Sequence, residues 1–145
     1  MRLFSRKILM QVLLFATIGI LVISNAPSQE VGAYKLRFLK EIPHSEDAFI
    51  QGLEVDDLGM LIESTGLYGR SSLRRVSPSD GSIEIVRSIQ SNFFAEGLTR
   101  ISGKIFLATW RNGVILQFDD DSYTLDKSFQ FEGEGWGLTN NGSEI

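Results

Sequence analysis

Cysteine is absent from the 145 residues, histidine occurs once, at His44, and proline only three times. Without cysteine there is no disulfide framework, no thiolate metal site and no cysteine nucleophile. A single histidine excludes a histidine-rich metal cluster and argues against a Ser-His-Asp triad. Basic residues are outnumbered: the net charge is −4 at pH 7, which lacks the basic patch that nucleic acid binding requires. Apolar residues of helical period are missing after residue 26, so helices have no place in the expected fold. What is plentiful is apolar content, at 43%, together with 14 glycines. That composition is too apolar for a disordered chain, and the length allows one domain at most.

The N-terminus reads as a targeting segment. Arg2, Arg6 and Lys7 precede an apolar run from Ile8 to Ile23, followed by the small-residue patch Ser24-Asn25-Ala26. A charged region, an apolar region and a patch of small residues make a signal peptide over residues 1–26. An uncleaved N-terminal membrane anchor is the rival reading, although the run falls short of the ~20 residues a span needs. Either way residues 27–145 are expected to be exported, to a periplasmic or extracellular location.

Those residues contain a repeat. Phe49-Ile-Gln-Gly-Leu53, Phe94-Ala-Glu-Gly-Leu98 and Glu134-Gly-Trp-Gly-Leu138 resemble one another, with Leu53 and Leu98 45 residues apart and Leu98 and Leu138 40 apart. Within a repeat the alternation is that of strands. Val114, Leu116 and Phe118 alternate with Ile115 and Gln117, and Leu125 to Phe131 alternates likewise. Asn112-Gly113 predicts a two-residue hairpin turn. Short strands on a beat near ~40 residues are the pattern of a β-propeller blade. Tyr34, Leu36 and Phe38 predict one further strand ahead of the first repeat, of the kind that completes a last blade. Propellers close with roughly four to eight blades. Residues 27–145 are therefore expected to form a partial all-β propeller of about two and a half blades, the N-terminal part of a longer protein.

Equivalent positions in successive blades converge, so Gln51, Glu96 and Trp136 are expected to meet near the axis. Phe49 and Phe94 lie two residues before the first two of these, and Trp110 closes the strand after Glu96. A carboxyl group ringed by aromatics and a carboxamide suits acid/base chemistry, because apolar walls penalise its charged form. Each aromatic could equally be packing, and Glu96 could be a structural acceptor for backbone amides. Asp119-Asp120-Asp121 lacks the ligand spacing of a calcium loop and reads as a solvated turn. His44, after Pro43, reads as a turn or rim residue.

Five segments in order resemble the plant and bacterial type of glutaminyl-peptide cyclotransferase: Phe49-Ile-Gln-Gly-Leu53, Glu63-Ser-Thr-Gly-Leu-Tyr-Gly-Arg-Ser-Ser-Leu-Arg74, Phe94-Ala-Glu-Gly-Leu-Thr99, Ala108-Thr-Trp-Arg111 and Gly133-Glu-Gly-Trp-Gly-Leu138. The resemblance implies a five-bladed propeller when complete, and conversion of N-terminal glutamine into pyroglutamate with release of ammonia. It implies Glu96 as the catalytic acid/base, with Phe49, Gln51, Phe94, Trp110 and Trp136 as the substrate pocket. It also implies an Asn, a further Trp and a Lys from later blades, so the 145-residue chain alone is expected to be inactive. The implied scheme needs no metal or cofactor and leaves a structural calcium ion on the axis open. The implied partners are peptides and proteins with N-terminal glutamine, acted on by a monomer, with no nucleic acid and no membrane beyond the N-terminal anchor. The alternative is a non-enzymatic propeller that binds peptides or glycans on the same aromatic ring.

Overall fold

The computed structural model describes residues 32–145. The expected targeting segment, residues 1–26, lies outside the described residues. Lys40–Ile145 forms one compact unit, and it contains eight strands in two sheets. The first sheet is β1 (Ile50–Val55), β2 (Leu61–Thr65), β3 (Ser72–Val76) and β4 (Ile83–Ser88). The second is β5 (Ala95–Ile101), β6 (Lys104–Thr109), β7 (Val114–Asp119) and β8 (Leu125–Gln130). Each is an antiparallel meander whose spatial order is its sequence order. Two such sheets, packed face against face, are two blades of a propeller.

The repeat explains the register between them. A Cβ on Gly52 would lie 2.6 Å from the backbone nitrogen of Leu98, and one on Gly97 would lie 2.7 Å from that of Leu138. The three Gly-Leu pairs therefore stack directly on one another, at a spacing only glycine permits. Further hydrogen bonds tie the layers. Glu54 accepts from the Thr99 hydroxyl (2.6 Å) and the Arg100 amide (3.0 Å), and Asn140 donates to Thr99 Oγ1 (2.7 Å) and to the Arg100 carbonyl (2.9 Å).

Strand alternation then decides what lies between the blades. Gly52 faces the second sheet, so its cross-strand neighbours on that face carry the core: Ile62, Leu73 and Ile85 from the first sheet. Leu98, Ile105, Leu107, Leu116 and Phe118 meet them from the second, with Ile89, Phe93 and Tyr123 at the margins. Burying each large apolar side chain contributes about 1.5–3 kcal/mol. The other face of the first sheet leaves Leu53, Val55 and Val86 exposed. On that face Glu63 is fully buried, because His44 covers it: His44 Nε2 stands 2.7 Å from Glu63 Oε2, and Arg74 lies 3.8 Å from the other oxygen. The rim histidine of the sequence is thus a cap on a buried carboxylate.

Residues 34–39, expected to pair with a strand of a last blade, pair with none of β1 to β8 and form no strand here. The third repeat contributes no strand either; residues 131–138 run as irregular backbone beside β5 and β6. The turn at Asn112-Gly113 is wider than two residues. β6 ends at Thr109 and β7 starts at Val114, because the Trp110 backbone is engaged elsewhere, donating to Phe94 O (3.0 Å) and accepting from the Gly135 amide (2.8 Å). The acidic turn is paired rather than merely solvated: Asp119 accepts from Ser122 and Lys104, and Asp120 from the Arg100 guanidinium.

The stacking of the Gly-Leu pairs sets a clear expectation. Gly52→Ala should destabilise the fold by about 2 kcal/mol, since backbone cannot retreat from the added methyl as a side chain could. Gly103→Asn, at a left-handed position with open space around it, should cost less than ~1 kcal/mol. Chemical denaturation of the two variants distinguishes them.

Candidate active site

All the candidate residues collect at one end of the blades, where β1 and β5 begin and β2 and β6 finish. Gln51 and Glu96 each immediately precede a stacking glycine, so the same register that joins Gly52 to Leu98 brings their side chains together. Gln51 Nε2 donates to Glu96 Oε2 at 2.7 Å. Glu96 is buried, at 5% exposure, and burial pushes its carboxyl above the ordinary range, with the Gln51 hydrogen bond opposing that rise.

Polar groups from the first blade fix the backbone around Glu96. Ser64 Oγ donates to the Glu96 carbonyl at 2.5 Å, and the Ala95 amide donates to Ser71 Oγ at 3.0 Å. Ser71 Oγ in turn reaches the carbonyls of Leu67 (2.9 Å) and Phe93 (3.2 Å). These serines come from the run Glu63–Arg75, whose density of serine and glycine is unusual for two strands and the loop between them. The sequence signal was present, but its role in fixing the neighbouring blade's backbone at Ala95 and Glu96 was legible only in three dimensions.

Aromatic rings enclose the pair. Phe94 sits at the centre, edge-to-face with Phe49 (centroids 6.2 Å), Tyr68 (5.5 Å) and Trp110 (5.6 Å), and Trp110 meets Trp136 at 6.0 Å. Such contacts contribute about 0.5–1.5 kcal/mol each beyond burial. Gly66 makes room for Phe94: a Cβ there would fall 2.3 Å from the ring and 3.1 Å from Gln51 Cγ. The Arg111 guanidinium lies 3.8 Å over the Trp110 ring and is bridged to Glu134 at 3.1 Å. Trp136 arrives because the Gly97 amide donates to its carbonyl at 2.8 Å. Every site residue expected from the sequence is therefore in one cluster, and Tyr68 joins it unforeseen.

Two features of the cluster bear on what it could receive. Phe49 and Trp136 are half exposed, at 51% and 55%, so the cage is open on one side. Trp110 Nε1 is buried without a hydrogen-bond partner among the described residues. A buried donor left unpaired costs about 1–3 kcal/mol, and an open cage that holds one is suited to receive an acceptor from a ligand.

The raised pKa of Glu96 has a consequence for stability. The folded state binds this proton more tightly than the unfolded chain, so the contribution is complete below the ordinary carboxylate value and is lost as pH rises through the raised one. Glu96→Gln cannot ionise and escapes that loss. Its thermal midpoint should exceed that of the wild type at pH 7, with the gap shrinking toward pH 4; an equal or lower midpoint at pH 7 would contradict the burial argument.

A family model described as "Glutamine cyclotransferase" matches residues 11–145. The chain is 35% identical over 112 residues to glutaminyl-peptide cyclotransferase of Arabidopsis thaliana, a match that takes in 77% of this chain and 35% of the relative. It is also similar to the crystal structure of Myxococcus xanthus glutaminyl cyclase, with a TM-score of 0.60 and 31% identity over 70% of this chain and 42% of that one. The chain thus spans about a third of the length of the curated relative.

Proposed function

The chain belongs to the glutamine cyclotransferase family, and from that premise we propose that it carries the acid/base centre of an enzyme converting N-terminal glutamine of peptides into pyroglutamate. The observation that carries the reading is a buried Glu96, hydrogen-bonded by Gln51 at 2.7 Å, inside an aromatic cage open to solvent.

The reaction suits these residues. The substrate's α-amine attacks the carbon of its own γ-carboxamide, so the nucleophile is already tethered and needs chiefly orientation. A nitrogen–carbon bond forms, and a tetrahedral centre with a negative oxygen results. The bond to the amide nitrogen then breaks, and that nitrogen must leave as ammonia. Glu96 takes the proton from the attacking amine and delivers it to the departing nitrogen, so it begins and ends the cycle ionised. Gln51 holds one carboxylate oxygen and leaves the other for the relay. Trp110 Nε1, unpaired in the cage, donates to the carbonyl oxygen as its charge develops. Phe49, Phe94, Trp110 and Trp136 line the glutaminyl stem and exclude water, which would otherwise hydrolyse the amide.

The scheme draws on no metal or cofactor. Residues 1–26 belong to the same proposal as the export signal or anchor that delivers the enzyme to peptides outside the cytoplasm, and a complete five-bladed ring acts as a monomer.

Two experiments on the intact protein test this. Glu96→Gln should reduce ammonia release from a glutamine-initiated dipeptide by about 10²–10⁴-fold while leaving KM little changed. Undiminished turnover would remove the acid/base role, and peptide binding without any turnover in the wild type would favour the binding module. Gln51→Leu deletes the bond that restrains the Glu96 pKa, so the acid limb of the kcat profile should move to higher pH. An acid limb that stays in place would show that Gln51 does not act on Glu96.

A further inference from the structure

The loop joining β2 to β3 is strained and pinned at once. Leu67 holds a left-handed backbone, with φ of 88°, where side chains other than glycine are rarely found, and such outliers gather at functional sites. The loop is kept there by the Gly69 amide on Ser91 O (2.9 Å), the Arg70 amide on Leu67 O (3.0 Å) and Ser71 Oγ on Leu67 O (2.9 Å). Gly66, at its start, has no room for a side chain because Phe94 fills that space.

What this loop presents is Tyr68. Its ring is 50% exposed and stands edge-to-face on Phe94 at 5.5 Å. It takes no part in the core between the blades, so packing of the fold does not account for it. Phe94 also abuts Gly66, beside Gln51 Cγ, and Gln51 reaches Glu96. Tyr68 is therefore one ring outward from Phe94, with half of its surface open to solvent.

We propose that Tyr68 is a specificity residue whose exposed ring receives the side chain of the second residue of the substrate peptide, favouring aromatic and large apolar residues there. The inference rests on the cyclotransferase reading of the site. A glutaminyl residue that reacts beside Glu96 must keep its α-amine and side chain inside the cage and send its carbonyl toward the opening. The next residue begins about 3.8 Å further on, within reach of the exposed ring that flanks Phe94, that of Tyr68. An edge-to-face or stacked contact with a ring there adds binding that a glycine in the same place cannot supply.

The test compares ammonia release from Gln-Phe-amide and Gln-Gly-amide by the intact protein. The wild type should favour Gln-Phe-amide by about fivefold in kcat/KM. Tyr68→Ala should lose that preference, its KM for Gln-Phe-amide rising about fivefold more than its KM for Gln-Gly-amide, with an unchanged circular dichroism spectrum reporting a sound fold. Tyr68→Phe should retain the preference. Equal losses on both peptides would make Tyr68 a prop for Phe94 and overturn the proposal, as would a wild type without preference or a Tyr68→Ala variant that keeps it. A wild type that releases ammonia from neither peptide would instead remove the cyclotransferase reading, and this inference with it.

Discussion

The contact on which the rest of this structure depends is backbone against backbone, where Gly52 meets Leu98 and Gly97 meets Leu138. Glycine lets the innermost strand of one blade approach the next within a distance that any Cβ would block. Everything else is positioned by that approach. It sends Ile62, Leu73, Leu107 and Leu116 into a shared core on one side. It also places the residues just before the two glycines, Gln51 and Glu96, within hydrogen-bond distance. A packing constraint and a chemical pairing are thus two results of one register.

The energetics of Glu96 follow from the same geometry. Burial penalises the carboxylate, and the structure answers with one carboxamide hydrogen bond rather than a cation, so the pKa stays raised. A salt bridge would hold the group ionised and leave it a weak proton acceptor. The serines of the first blade bind the backbone on either side of Glu96 instead of its carboxylate, so they fix its position without quenching its basicity.

The two ends of the blades have separate tasks. Opposite the aromatic cage, Arg75 bridges Asp56 and Glu84, Arg100 binds Asp120, and Lys104 joins Asp119 and Asp126. A cavity of about 260 Å³ at that end is lined by Asp56, Arg75, Arg100, Asp120 and Tyr123, and burial pushes the Tyr123 hydroxyl up to about 12. Charges at that end are matched among themselves and secure turns. At the other end Glu96 is buried with no salt bridge among the described residues, and the Trp110 indole donor is unmatched, as are Glu63 Oε1 and Arg74 Nη1 beneath His44.

The strands were legible because alternation is a property of neighbouring residues: Val114 to Phe118 and Leu125 to Gln130 could be read directly as β7 and β8. The candidate site was legible because it repeats. Gln51, Glu96 and Trp136 occupy equivalent positions, so the period alone made them converge. Tyr34 to Phe38 alternate but form no strand among the described residues, since a strand also requires an edge to pair with, and pairing is not written into the segment itself. Tertiary structure alone decided the parts that depend on contact across blades. Tyr68 joins the cage because Phe94 approaches Gly66, His44 covers Glu63 because the chain before β1 folds over that sheet, and Ser64 and Ser71 fix the backbone of the next blade at Ala95 and Glu96. Scarcity of cysteine and histidine had already removed thiol nucleophiles and histidine clusters from the available chemistry. Which of them lie within reach of one another was fixed by distances that only the packed blades define.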